Sequence, residues 1–111
     1  VGMKIDVDAK DGWTVFRLEG DLDSGSAAEI QGRFLGELGT GANSFLLDLE
    51  RVNYIDSSGL AALVKFYKEV RTKGGTLALC AVQRDAMKIL QLTRLDKIFT
   101  IFPDESAAKA A

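Results

Sequence analysis

The chain has no histidine in its 111 residues. That absence excludes Ser-His-Asp and Cys-His catalysis and most zinc sites. It also leaves every serine without the usual general base. There is one cysteine, Cys80. It cannot form an intrachain disulfide, and its apolar surroundings, Leu77 to Val82, read as a buried thiol in a reduced compartment. No apolar run reaches membrane-spanning length, so no membrane insertion is expected. Basic residues do not dominate: 14 Lys and Arg stand against 16 Asp and Glu, for a net charge of −2. Nothing here forms a phosphate-backbone footprint, and nucleic acid is not expected as a direct partner. A cytoplasmic location is expected. Met3 reads as the start of the domain, with Val1-Gly2 an expression remnant or an alternative start.

What remains is an ordinary globular composition, 47% hydrophobic and 27% charged. This length fits one domain, spanning residues 3–111, with one core. Lys4 to Val7 alternates as a strand, and Asp11-Gly12 is a turn signal. Trp13 to Leu18 alternates again, with Trp13, Val15 and Arg17 on one face and Thr14, Phe16 and Leu18 on the other. Gly20 to Ser26 reads as a polar loop. Ala27, Ile30, Phe34 and Leu38 then share one helix face. Phe45 to Leu49 has the continuous apolar character of a buried parallel strand. A second helix starts at about Ser58, with Leu60, Leu63, Val64 and Tyr67 at helical spacing, and closes at Gly74-Gly75. Thr76 to Cys80 is a strand. Arg84 to Leu92 is a helix with Ile89 and Leu90 inward. Ile98 to Phe102 is a last strand, and Asp104 starts a short terminal helix through Lys109. The order β-β-α-β-α-β-α-β-α predicts a small mixed α/β sheet, mostly parallel with an antiparallel first strand, packed with about four helices.

Two loops carry the chemistry. Asp56-Ser57-Ser58-Gly59 follows a strand and opens a helix, where open α/β sheets place their sites. Asp and Ser are favoured helix caps. Free backbone N–H groups at such a helix start also favour negative charge. A hydroxyl there is therefore either a cap or an acceptor for phosphate from an external kinase. A hydrolase elbow is excluded, because Ile55 stands where G-x-S-x-G needs glycine and no histidine exists. No P-loop pattern occurs. Gly20-Asp21-Leu22-Asp23 has two acids but too few oxygen ligands for a cation and no EF-hand pattern. It reads as a helix entry capped by Asp23, Ser24 or Ser26, and as a polar rim on the same sheet edge as the serine motif. Lys65, Lys68, Arg71 and Lys73 read as a solvated helix face.

The sequence resembles the STAS domain family, specifically the stand-alone bacterial anti-sigma-factor antagonists. The resemblance runs from about Met3 to Phe102. It rests on Gly20-Asp21-Leu22-Asp23 with Ser26-Ala27, Leu47-Asp48-Leu49, Ile55-Asp56-Ser57-Ser58-Gly59-Leu60, Gly74-Gly75-Thr76-Leu77 and Leu95-Asp96-Lys97-Ile98-Phe99. The resemblance implies a non-enzymatic partner switch with no cofactor or metal of its own. The partner it implies is an anti-sigma factor that is also a serine kinase, captured while the antagonist is unphosphorylated, with release of the sigma factor. A PP2C-type phosphatase resets the switch. Residue by residue, Ser57 becomes the phosphoacceptor. Asp56, Ser58 and Gly59 frame it, and Asp23, Ser24 and Ser26 join the partner-binding surface. Two other readings stand beside this one. One is a non-switching STAS scaffold of a signalling or transporter-associated assembly, with Ser57 only a cap. The other is a STAS domain that binds a small ligand or anion at the same helix start. Two departures from the family pattern are visible: Arg94 stands where glycine is frequent, and the alanine-rich terminal helix predicts loose docking or fraying.

Overall fold

A computed structural model describes residues 3–111; the reading of Val1-Gly2 lies outside them. The elements are β1 (Lys4–Lys10), β2 (Trp13–Leu22), α1 (Ala27–Leu38), β3 (Ser44–Ile55), α2 (Ser57–Thr72), β4 (Thr76–Cys80), α3 (Arg84–Leu92), β5 (Thr100–Phe102) and α4 (Glu105–Ala110), with a single 3-10 turn at Leu95–Lys97. The strands form one sheet in the order β1-β2-β3-β4-β5. β1 and β2 are antiparallel, and the other pairs are parallel. This is the expected mixed α/β sheet with four helices.

The hairpin turn follows from its two residues. Asp11 and Gly12 both take positive φ, 54° and 85°, the backbone of a tight hairpin turn matched to strand twist. The alternation along β2 then separates two faces. Phe16 and Leu18 enter the main core with Ile30, Phe34 and Leu38 of α1, Leu63, Phe66 and Val70 of α2, and Leu90 of α3. Trp13 and Val15 face the other way, onto a smaller cluster of Leu46, Ala78, Cys80 and Ala108. Helices α1 to α3 therefore cover one face, and α4 covers part of the second. Four rings lock the main core. Phe34 and Phe66 stack at 4.2 Å, and Phe16 and Phe45 meet them edge-on at 5.0 Å each. Such pairs each contribute about 0.5–1.5 kcal/mol beyond burial.

Several boundaries differ from the sequence expectation. β2 runs through Gly20 and Asp21 to the fully buried Leu22, so the loop begins later, at Asp23. A register shift at Arg17/Glu19 and another at Gly20/Asp21 break the alternation there. β3 continues past Leu49 to Ile55, because Val52 and Ile55 keep returning to the core. On α2 the buried set is Gly59, Ala62, Leu63, Phe66 and Val70, rotated from the expected stripe so that only Leu63 is shared. Leu60 and Tyr67 pack at its margin. On α3 Leu90 is buried as expected, but Ala86 takes the inward place given to Ile89, which is half-buried. Ile98 is 51% exposed and precedes β5 rather than starting it.

Arg94 sits one residue past the Thr93 C-cap of α3, at φ 64° and ψ 14°. This is the left-handed position at which helices commonly end on glycine. A side chain there costs roughly 1–2 kcal/mol, and glycine gives back about 0.5–1 kcal/mol as lost chain entropy. Arg94→Gly is therefore expected to stabilise the fold by a few tenths to about 1 kcal/mol, read as a higher denaturant midpoint.

The terminal helix is docked, not frayed. Asp104 caps it by accepting the Ala107 N–H at 2.9 Å, and Ala108 is fully buried. Arg17 Nε and Nη2 donate to the two Glu105 oxygens at 2.8 and 2.9 Å, and Arg17 Nη1 reaches Asp6 and Asp8. Lys109 adds contacts to Asp11 and Glu105. Charge pairing thus compensates for the small apolar side chains that the sequence provides. Arg17 holds the Glu105 carboxyl down to about 2. Burial, with a hydrogen bond to Glu105, pushes Asp48 up to about 6. A raised carboxyl stabilises the fold while it is protonated. That contribution is complete below about pH 4, the unfolded value, and is lost as pH rises through about 6. The depressed Glu105 acts in the opposite sense, failing as pH falls from about 4 toward 2. Asp48→Asn, whose amide can keep donating to Glu105, is expected to abolish a fall in melting temperature between pH 4 and 6. An unchanged pH profile in the variant would refute this assignment.

Candidate functional site

The site is built where β2 and β3 end side by side. Their last paired positions are Asp21 with Tyr54 and Leu22 with Ile55. The Asp56 N–H then donates to the Leu22 carbonyl at 3.0 Å, so the turn into α2 is tied to the last residue of β2. The two loops therefore open on one sheet edge, as the topology requires of parallel strands.

Asp56 is the N-cap of α2. Its extended backbone (φ −106°, ψ −173°) lets Oδ1 accept the N–H groups of Ser58 and Gly59, at 2.9 and 3.0 Å. The Leu60 N–H closes the first helical turn on the Asp56 carbonyl at 2.9 Å. The helix start is thus already occupied by a carboxylate. This weakens the anion-binding reading, because two of the N–H groups available to a free anion are taken and a negative charge stands beside the rest. The cap also falls to Asp56 and not to a serine. Ser57 is the first residue of the helix and is exposed, and Ser58 is half-buried.

Gly59 is buried against β2. A Cβ at this position would be driven into the carbonyl of Leu22 and crowd its side chain. The glycine therefore permits the close approach of helix and strand that sets the height of Ser57.

The Asp23 loop is a self-contained turn. Asp23 Oδ1 accepts from the N–H groups of Gly25 and Ser26 at 2.9 and 3.2 Å. Ser26 Oγ donates to the Asp21 carbonyl at 2.7 Å and accepts the Asp23 N–H at 3.1 Å. Ser26 is 2% exposed, so its hydroxyl shapes the loop from beneath. Ser24 is exposed at the tip, and Asp23 is half-buried. Of the seven residues expected at the surface site, Asp23, Ser24, Asp56, Ser57 and Ser58 line one rim, while Ser26 and Gly59 lie under it.

Sequence reasoning missed two neighbours. Tyr54 is 51% exposed beside Asp56 and pairs in register with Asp21. Its signal was an aromatic ring next to the motif on a strand that was taken to end at Leu49. The second is an open groove of about 280 Å³ between α1 and α2, which includes Ser58. Among the described residues no group of three or more His, Cys, Asp or Glu side chains stands close enough to hold a metal ion. No helix among them is long and apolar enough to cross a membrane.

This architecture, a β2–β3 edge carrying an Asp-Ser-Ser-Gly helix start, is a STAS fold. The family model described as the STAS domain matches residues 4–108, and the chain belongs to that family. It is 28% identical to BtrV of Bordetella bronchiseptica, a candidate anti-sigma factor antagonist, over 98% of this chain and 94% of that one. It is 26% identical to the anti-sigma F factor antagonist of Paenibacillus polymyxa, over 95% and 91% of the two chains. A crystal structure from Thermotoga maritima, also a candidate anti-sigma factor antagonist, superposes with a TM-score of 0.91 at 27% identity, covering 96% of this chain and 92% of that one.

Gly59→Ala tests how the site is held. Overpacking of this kind costs about 1–3 kcal/mol, so a clear drop in the urea midpoint is expected. A substitution within about 0.3 kcal/mol of the parent would mean that α2 is free to lift off β2.

Proposed function

We propose that this chain is an anti-sigma-factor antagonist whose binding is switched by phosphorylation of Ser57. The observation that carries the reading is the placement of Ser57. It is exposed, first in its helix, and directly follows a carboxylate that already satisfies the Ser58 and Gly59 N–H groups. A neutral hydroxyl fits this position without conflict. A phosphate adds a charge of about −1.5 to −2, next to Asp56 and on the same edge as Asp23. The relatives named above as anti-sigma factor antagonists support the partner class.

In this scheme the unphosphorylated rim of Asp23, Ser24, Asp56, Ser57 and Ser58 docks an anti-sigma factor, and the sigma factor is freed. The same partner acts as the serine kinase. It transfers the γ-phosphoryl group of ATP to Ser57 Oγ, with ADP as the leaving group and the hydroxyl proton released. A PP2C-type phosphatase hydrolyses the ester. The nucleotide and its metal belong to the kinase and the phosphatase metal to the phosphatase, so this domain is a substrate and not an enzyme. A few kcal/mol of repulsion and lost hydrogen bonding are sufficient, since each 1.4 kcal/mol changes affinity tenfold.

The test pairs two measurements. Incubation with the anti-sigma kinase and ATP, followed by site-resolved mass spectrometry, is expected to place one phosphate on Ser57. Ser57→Ala should bind the anti-sigma factor within a few-fold of the parent, and Ser57→Asp at least tenfold more weakly. Equal binding by the two variants would favour a non-switching scaffold with Ser57 as plain helix surface.

A further inference from the structure

The basic positions on α2 lie outside the Asp23–Asp56 rim but in line with Ser57. Ser57, Ala61, Lys65 and Lys68 are spaced so that they fall on one stripe of a helix, and all four are exposed. The stripe changes sign along its length. Its start carries Asp56, with Asp23 on the adjoining loop, and its far half carries Lys65 and Lys68. Arg71 stands aside from it, with its guanidinium over the Tyr67 ring at 5.8 Å. Beside the stripe runs the groove of about 280 Å³, walled by Ala27, Ala28 and Gln31 of α1 and by Ser58, Ala61 and Lys65 of α2. Three of these residues are alanines, so the groove has room for a side chain from outside. Gln31 Oε1 is buried and has no hydrogen-bond partner among the described residues.

We infer that this stripe and groove are the docking track for an amphipathic helix of the protein partner, acidic at the end that lies over Lys65 and Lys68. The partner's identity rests on the partner-switch reading above; the track itself rests on the geometry. Charge complementarity sets the direction of the docked helix. Its acids pair with the lysines, and its uncharged polar end meets Asp56 and Asp23. A small apolar side chain fills the alanine-walled groove. This layout explains why a phosphate on Ser57 discriminates. Lys65 lies eight residues beyond Ser57, about 12 Å along the helix axis, which exceeds the screening length of about 8 Å at physiological salt. Ala61, between them, offers no charge to the phosphate. The new charge therefore meets no lysine that could neutralise it, and it disrupts the uncharged contact that the partner makes with the Ser57 hydroxyl.

The test uses the anti-sigma kinase of the preceding section, without ATP, against the parent chain and three variants: Lys65→Glu/Lys68→Glu, Ala61→Trp and a control, Lys88→Glu, on the exposed surface of α3. Association rates are measured at 50 and 300 mM salt. The double variant should associate at least tenfold more slowly at low salt, with most of the salt dependence gone, because surface charges act chiefly on encounter. Ala61→Trp should dissociate faster at an unchanged melting temperature, and Lys88→Glu should behave as the parent. If the double variant associates like the parent, the track is wrong, whatever Ser57 does. If phosphorylated Ser57 chain binds as well as unphosphorylated chain while the double variant fails, the switch is wrong and the track stands. A fluorescent DNA duplex bound by the parent and lost by the double variant would overturn a protein partner for this surface.

Discussion

The site depends on one contact, the seam between the end of β2 and the start of α2. The Asp56 N–H is held by the Leu22 carbonyl, and Gly59 lies so close to Leu22 that no Cβ fits. Leu22 is fully buried and immediately precedes Asp23. A single residue therefore serves as the floor of one loop and the anchor of the other. Without that seam the Asp23 turn and the Asp56 cap would be two separate helix entries. With it they form a continuous rim whose spacing is set by backbone atoms, which do not change rotamer. The rim therefore holds the Ser57 hydroxyl at a fixed height.

Much of this was legible in the sequence, for identifiable reasons. Asp11-Gly12, the alternation from Trp13 to Leu18 and the apolar run Thr76 to Cys80 are short patterns governed by local sterics, and each appears where it was expected. The α1 face of Ile30, Phe34 and Leu38 was legible because one stripe faces one core. The α2 stripe was misread because several apolar residues compete there, and the choice among them is made by the sheet: Gly59 and Ala62 face it because they are small enough to let the helix approach. The true ends of β2 and β3 were hidden by polar residues at register shifts, where period-two alternation breaks. In the site, the Asp56-Ser57-Ser58-Gly59 run and the Asp23 loop were visible by type and spacing as helix entries on one sheet edge, whereas the choice of Ser57 within the run came only from the family resemblance. That Asp56 rather than a serine caps the helix depends on its extended backbone angles, which no spacing rule supplies.

The second face of the sheet follows a different logic from the first. The first is closed by three amphipathic helices around four phenylalanine rings. The second is closed by a six-residue helix with one buried alanine, held by Arg17 between β1 and α4. This shields Cys80, whose thiol is pushed up to about 12 by burial and by the nearby Asp48, Glu105 and Asp104 carboxylates. At neutral pH such a thiol stays protonated and unreactive. The fold's only cysteine is therefore a packing residue.

The strand order has a consequence for how the molecule comes into being. Position in the sheet equals position in the chain, so each strand after the first pairs with its immediate predecessor. No edge has to wait for a distant segment to arrive, and no insertion between existing strands is needed. As the chain emerges from the ribosome, the sheet can grow by accretion at one advancing border, with each helix laid down before the next strand. Loop closures stay short, which favours rapid folding for a largely parallel sheet. The Asp23 and Asp56 turns meet as soon as β3 and the first turn of α2 are complete. The rim is therefore complete once the chain has reached Leu60, and the later elements consolidate it.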